Sequence, residues 1–288
     1  MWKRIDVNTG TKTSQTQHIM KIVIHFILSF LSFCTVTAQN FIQRNPTNKT
    51  LPETVQKKIR NFKLLPHQYL DYAEKRYLYT GTAEDGVIIY NPLPKEILIN
   101  KEDSLIDDSA LMAERGAKHF FPDSAGSFSL IYFDRLRYPL GNTIRETYLV
   151  SKGRLRKLAE RISDGIASRY FDREMNIRLD SFKLQHNQFL QYDTAEATIS
   201  LCTTVNMIDF KLPQEEMPQY KKEILRIIYE ILHEEVYKYK KLVIYYLDKT
   251  GIGERVAFIF ETEKSDVTHR YEELKAKYLK IFHNGDMN

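Results

Sequence analysis

After Gly86 the sequence alternates between short apolar runs and longer amphipathic segments, and this order constrains the fold more than any other feature. The apolar runs come in pairs, and a pattern typical of a helix follows each pair, four times in succession. Strands joined by a short connection pair antiparallel, whereas parallel strands need a long crossover. We therefore predict an α+β fold with a mainly antiparallel sheet built from strand-strand-helix units. We find no similarity of residues between the units, so the regularity is one of element order.

These units make up an α+β body that is predicted over residues 86–288. The predicted strands are residues 87–90, 96–99, 128–133, 144–150, 176–184, 195–207, 242–248 and 255–261. The predicted helices are residues 104–117, 152–170, 215–239 and 266–282. The last two strands have the clearest turn between them, because Gly251 and Gly253 permit the positive φ that a tight hairpin loop needs.

A helical hairpin is predicted ahead of this body, over residues 51–85. Pro52 suits the first turn of a helix, and Val55 and Ile59 lie about one turn apart on an apolar stripe. The pattern predicts a second helix over residues 67–79, which would complete an N-terminal helical hairpin.

Residues 20–38 have the pattern of a secretory signal peptide. Met20 and Lys21 form a short positive region, a twelve-residue apolar run follows, and small residues precede a cleavage point after Ala38. At 1.5 Å per residue the run covers about 18 Å of a hydrocarbon core roughly 30 Å thick, which favours cleavage over a permanent anchor. Residues 1–19 are then an extended or non-native N-terminus, and residues 39–50 a flexible leader.

The signal predicts export to the periplasm or the outside of the cell, with a bacterial envelope favoured. Removal of residues 1–38 leaves 38 Lys and Arg against 36 Asp and Glu, so the net charge falls from +5 to +2. A nearly balanced exported chain gives no electrostatic reason to expect nucleic acid as a partner. Cys202 is then the only cysteine, so stability must come from a packed core rather than from an internal disulfide.

One segment has a marked charge bias. Residues 134–173 contain ten Lys and Arg and five Asp and Glu, a local net charge of +5. Apolar residues recur at spacings of three and four in the predicted helix 152–170, which places the basic residues on its exposed side. These basic residues are Arg154, Arg156, Lys157 and Arg161. They are either an ordinary solvated face or an interaction surface for an acidic protein, glycan or lipid.

Candidate catalytic groups are dispersed along the chain. His67 and Asp71 stand four residues apart and would share one face of the second predicted helix, where Asp71 could orient the imidazole. A hydrolase would need a site assembled from a wider pool of residues. That pool is His67, Asp71, His119, His186 and His233.

No motif indicates a cofactor or a metal. His233 and Glu234 begin like the His-Glu-x-x-His zinc signature, but Tyr237 stands where the second histidine is needed. Cys202 has no basic neighbour in sequence, so a packed thiol is expected there. We therefore expect an exported non-enzymatic interaction or envelope-assembly protein. The alternatives are a secreted hydrolase with a dispersed His/Asp site and a membrane-tethered envelope protein with an uncleaved signal anchor.

Overall fold

Two mixed β-sheets, each with its own helices, form the described part of the chain. The computed structural model describes residues 51–77, 83–100, 103–206, 217–251 and 254–262, all within the unit Phe41–Asn288. The predicted N-terminal extension, signal peptide and leader, at residues 1–50, lie outside the described residues. So does the predicted last helix, at residues 266–282.

The first sheet has five strands in the order β1-β2-β3-β4-β5. Its elements in chain order are α1 (Glu53–Asn61), β1 (Tyr69–Tyr77), β2 (Ala83–Leu93), α2 (Lys95–Asn100), α3 (Asp103–Phe120), β3 (Ala125–Asp134), β4 (Thr143–Ser151) and β5 (Arg154–Ser163). Strands β2 and β3 are parallel, because helices α2 and α3 carry the chain back between them. The other neighbouring strands are antiparallel.

The second sheet has four strands in the order β6-β7-β8-β9. Its elements are α4 (Ala167–Tyr170), α5 (Arg173–Ser181), β6 (Gln188–Asp193), β7 (Thr198–Val205), α6 (Met217–Arg226), a π-helical turn (Ile227–Leu232), a 3-10 helix (His233–Lys238), β8 (Lys241–Asp248) and β9 (Glu254–Glu261). The parallel pair is again the one joined through a helix, β7 and β8. The α+β class, with mostly antiparallel strands, is therefore confirmed.

Three apolar clusters hold these layers together. Alternate residues of β3 point to opposite faces of the first sheet. Phe128 and Leu130 pack with α1 and α3, whereas Ile131 and Phe133 join a cluster that contains Phe189 of the second sheet. The opposite face of the second sheet packs with α5 and α6. Since β3 is buried on both faces, residues 130–133 form a continuous apolar run rather than an alternating one.

The two sheets are built from the same unit, namely helix, two antiparallel strands, helix, and two further antiparallel strands, with β5 added to the first. Residues 62–72 and 182–192 share the pattern Phe-Lys-Leu-x-x-x-Gln-x-Leu-x-Tyr, with six identical residues in eleven. The statement that no residues recur between the units is therefore wrong. The predicted strand-strand-helix order obscured this repeat, because the true unit begins with a helix.

Equivalent hydrogen bonds confirm the repeat. Gln68 accepts a hydrogen bond from the Leu65 backbone N–H, 2.9 Å, and its amide donates to Asn91, 2.5 Å. Gln188 likewise accepts from the Gln185 N–H, 3.1 Å, and its amide donates to the Thr203 hydroxyl, 3.4 Å. Each glutamine is buried and ties the turn after a helix to the second strand of its sheet.

The predicted helix 152–170 is wrong, because residues 154–163 form strand β5. Lys152 and Gly153 both have positive φ, 49° and 70°, and form a two-residue hairpin turn between β4 and β5. The expected apolar stripe is not buried, since Ile162 and Ile166 are 53% and 54% exposed. The spacing of three and four was therefore coincidental on an exposed edge strand.

Three further segments differ from prediction. The N-terminal helical hairpin is not confirmed, because α1 is present but residues 69–77 form strand β1, paired with β2. The predicted strand 96–99 lies in helix α2. The predicted strand 176–184 lies mostly in helix α5, where the Asp172 carboxylate accepts a hydrogen bond from the Met175 N–H, 2.6 Å, as an N-cap. The apolar residues of this segment span too few turns to show a helical period.

Other predictions are confirmed. Strands 128–133 and 144–150 lie within β3 and β4, and helix 104–117 lies within α3. The predicted strand 195–207 contains β7. The hairpin of residues 242–248 and 255–261 is β8 and β9, with Gly251 at φ 63° in its loop.

Candidate functional site

The basic segment 154–161 lies on an edge strand, where strand geometry sorts its side chains. Residues directly opposite each other on paired strands point to the same face of a sheet. The pairs concerned are Ser151 with Arg154, Leu149 with Arg156, Arg145 with Arg161 and Tyr148 with Lys157. A β-bulge between Thr147 and Tyr148 in this register shifts the alternation, so one extra residue of β5 is left unpaired.

Four arginines therefore share one face of the β4–β5 hairpin. Residues 145, 149 and 151 alternate on one side of β4, and the arginines opposite them point the same way. We define the basic face as Arg145, Arg154, Arg156 and Arg161, all of which are exposed. Among the residues that the structure describes, Arg145, Arg154 and Arg156 form no ion pair with a carboxylate. These three arginines therefore present positive charge without a carboxylate partner in the part of the chain that the structure describes.

Lys157, the fourth residue predicted for this surface, lies on the opposite face. Its amine donates to Glu146, 2.9 Å, and to Glu160, 2.7 Å, and Glu146 is buried. Two carboxylates neutralise its charge, so Lys157 belongs to a local ion-pair network and not to the basic face. Arg145 was not predicted for this surface, because only the pairing of β4 with β5 places it beside Arg161.

A second cluster of bases lies where the two repeats meet. His67 precedes β1 and His186 precedes β6, and neither lies on a helix. The His67 Nδ1 and His186 Nε2 atoms are 3.2 Å apart, and the two rings meet edge to face at a centroid distance of 4.9 Å. The predicted helical pair of His67 with Asp71 is thus wrong, because Asp71 lies in β1 opposite Ile88.

Arg135 and Lys249 complete this cluster. Burial is the largest cause that lowers the pKa of His67 to about 4, followed by the charges of His186, Lys249 and Arg135. The Arg135 Nε atom is buried, and no residue that the structure describes is hydrogen-bonded to it. Burial also lowers the pKa of Lys249. We call His67, His186, Arg135 and Lys249 the histidine cluster.

The repeat positions the two cations of the histidine cluster. Each follows the aspartate that ends a central strand, Asp134 of β3 or Asp248 of β8. The Lys249 carbonyl accepts a hydrogen bond from the Leu70 N–H, 2.8 Å, and the Arg135 carbonyl accepts from the Leu190 N–H, 2.7 Å. These reciprocal bonds tie each repeat to the other at equivalent positions.

The remaining residues of the predicted hydrolase pool have other surroundings. His119 lies in the last turn of α3, with its Nε2 atom 2.7 Å from the Lys58 carbonyl and its ring against Phe62. His233 has a positive φ of 51° where the π-helical turn ends. The structure thus brings together His67 and His186 from this pool.

Cys202 is packed, as expected. It is 1% exposed in the cluster between the sheets, and its thiol donates weakly to Gln191, 3.7 Å. Burial, with a smaller contribution from Glu254, raises the pKa of the thiol well above its usual range. This environment disfavours the reactive thiolate.

A buried ionic network, which the sequence did not reveal, joins the loop after β3 to helix α5. The Arg137 side chain is 2% exposed and donates to Asp134, 3.1 Å, and to Asp180, 2.5 Å. It also donates to the Asn176 side chain and carbonyl, both 3.0 Å. Four of its five N–H groups are thereby satisfied, so Arg137 holds the loop after β3 against helix α5.

Within the described ranges, no three His, Cys, Asp or Glu side chains are grouped so that they could hold a metal ion. None of the described helices is both long and apolar enough to span a membrane. Comparison of the chain with protein-family models, with curated proteins and with solved structures gives no match.

Proposed function

We propose that this chain is an exported, non-enzymatic interaction protein that binds an acidic protein partner through the basic face. The observation that carries the proposal is the alignment of four exposed arginines on one side of the β4–β5 hairpin. Three of them, Arg145, Arg154 and Arg156, have no carboxylate partner among the described residues, and such positive charge attracts acidic surfaces and accelerates their encounter.

The chemistry of the side chains favours a carboxylate-rich partner. Arginine presents a planar fork of donors that matches a carboxylate in two parallel hydrogen bonds, unlike the point charge of lysine. Arg145 and Arg161 lie directly opposite each other, an arrangement of like charges that disfavours strand pairing and raises the local positive potential. We infer that this local cost serves recognition of an anionic group.

The edge position of β5 favours a protein over a glycan or a lipid. In the described sheet β5 has a neighbour on one side only, so its outward backbone groups are available to an extended segment. Arg154 and Arg156 are two residues apart, about 6.8 Å along a strand, which matches acidic residues at alternate positions of such a segment. The partner is therefore expected to carry alternating Asp or Glu in an exposed strand.

Reversal of two charges on the basic face tests the proposal. Arg154→Glu/Arg156→Glu should weaken binding to poly-L-glutamate about tenfold, because two lost ion pairs at roughly 0.5–1 kcal/mol each approach 1.4 kcal/mol. Binding by the original protein should also weaken between low and physiological salt. Fluorescence anisotropy with labelled poly-L-glutamate measures both effects.

Lys57→Glu/Lys222→Glu is the matched control, since it changes the net charge equally at exposed lysines of α1 and α6. Equal weakening in both double variants would show that net charge, not the basic face, drives binding. Stronger binding to heparin or to vesicles with anionic headgroups than to poly-L-glutamate would contradict an acidic protein as the partner and indicate a glycan or a lipid surface instead.

The export part of the proposal has a separate test. N-terminal sequencing of the protein recovered from the periplasm or the medium should begin at Gln39, after cleavage behind Ala38. A start at or before Met20 would instead favour the membrane-tethered alternative with an uncleaved anchor.

A further inference from the structure

We propose that the histidine cluster is an anion site that binds a phosphate group. Its four bases come from four separate segments, which are the turns before β1 and β6 and the loops after β3 and β8. Among the described residues, the charges of His186, Lys249 and Arg135 act on His67, and all three groups are bases. The proposal is independent of the basic face, with which it shares no residue.

An unsatisfied donor points to a ligand. The Arg135 Nε atom is buried and has no hydrogen-bond acceptor among the described residues, although buried donors in folded proteins nearly always have one. Neither Arg135 nor Lys249 forms an ion pair with a carboxylate in the part of the chain that the structure describes. An oxyanion at this place would supply an acceptor for Arg135 and a counter-charge for both side chains.

The surroundings favour an anion over a metal cation. Two imidazole nitrogens 3.2 Å apart are at hydrogen-bond distance from each other, so one ring donates to the other. A metal ion between them would also experience the repulsion of Arg135 and Lys249. The same two cations would attract an anion, and the neutral ring pair would add one hydrogen-bond donor, since its other N–H is used between the rings.

The number and placement of donors favour phosphate over a carboxylate. A phosphate group offers oxygens in several directions and a charge of about −1.5 to −2 at neutral pH, which suits donors that come from both repeats. The backbone hydrogen bonds from Leu70 to Lys249 and from Leu190 to Arg135 hold the main chain of each cationic residue in place. The site is therefore organised before a ligand binds.

Calorimetric titration of the full chain with inorganic phosphate tests the site. We expect Arg135→Gln/Lys249→Gln to lower the affinity about tenfold or more, since it removes both cations. Lys57→Gln/Lys222→Gln removes the same charge at exposed lysines of α1 and α6 and should leave the affinity unchanged. Absence of phosphate binding by the original protein, or equal loss in both double variants, would overturn the proposal.

A second measurement is independent of whether the variant folds normally. The His67 ring should titrate near pH 4 without ligand and at higher pH with phosphate, because a nearby anion favours the charged imidazole. Nuclear magnetic resonance of the histidine ring protons measures this change in the original protein. Phosphate binding that leaves the His67 titration unaltered would place the ligand elsewhere and refute the assignment.

Three further ligands test which kind of ligand the histidine cluster binds. Tighter binding of glycerol 3-phosphate than of inorganic phosphate would support a phosphate carried on an organic molecule, and the reverse would support the free ion. Acetate that binds as well as phosphate would contradict the phosphate class. Tight binding of Zn²⁺ that depends on His67 and His186 would show a metal site instead.

Discussion

Removal of the Arg137 guanidinium should destabilise the fold strongly. Arg137→Met retains much of the apolar stem but leaves Asp134 buried, at 1% exposure, without its charged partner. Loss of one partner of a buried ion pair costs about 3–5 kcal/mol, because the remaining charge stays desolvated. Asp180 is 40% exposed and regains water, so it should contribute little to the loss.

The effect should depend on pH. Burial raises the pKa of Asp134 above its ordinary value, and Arg137 counteracts this rise. Without Arg137 the pKa of Asp134 rises further. At a pH between the pKa of Asp134 in the unfolded chain and its higher pKa in the folded variant, the folded variant keeps a proton that the unfolded chain has released. The variant therefore loses stability as pH rises through that window and is most impaired at neutral pH.

Urea unfolding of both proteins from acidic to neutral pH measures this prediction. Arg169→Met, at an exposed site in α4, is the control and should change stability by less than about 0.5 kcal/mol. Asp134→Asn/Arg137→Met should be less destabilised than Arg137→Met, since no buried charge remains. A loss near that of the control, or one that does not vary with pH, would refute the reasoning.

Three other perturbations test the fold. Gln68→Leu and Gln188→Leu should each lower the free energy of unfolding by about 1–3 kcal/mol in urea, because each leaves buried hydrogen-bond partners unsatisfied at equivalent positions. A loss of stability in one variant alone would contradict the equivalence of the two repeats. Gly116→Ala should destabilise by about 1–3 kcal/mol, since its new Cβ would lie 2.1 Å from the Phe128 ring, and an unchanged thermal midpoint would disprove this close packing. For His67, whose folded pKa lies near 4 and unfolded pKa near 6.5, stability should fall as pH drops from 6.5 to 4, and His67→Gln should flatten that slope in pH-dependent melting.

The sequence showed the elements whose signals are local. The β8–β9 hairpin was predictable because two apolar runs of the sequence flank a short segment with two glycines, Gly251 and Gly253. Helix α3 was predictable because its periodic pattern extends over several turns. The repeat was visible in the motif of residues 62–72 and 182–192, although it is too short to be obvious without the structure.

Tertiary structure decided the elements whose local signals are weak. Strand β5 has a helical spacing of apolar residues, yet pairing with β4 across the turn of Lys152 and Gly153 makes it a strand. That pairing is a long run of backbone hydrogen bonds, and it overrides the modest propensity of a polar segment. The basic face depended on the same pairing, since Arg145 and Arg161 are neighbours only across strands.

The sequence by itself determined the α+β class and the presence of a strongly basic segment, because both follow from composition and period along the chain. Only the tertiary structure brought together His67, His186, Arg135 and Lys249, which are separated by up to 182 positions. Contacts of this kind leave no trace in local periodicity. They arise because the two repeats pack against each other, which places equivalent turns and strand ends at one junction.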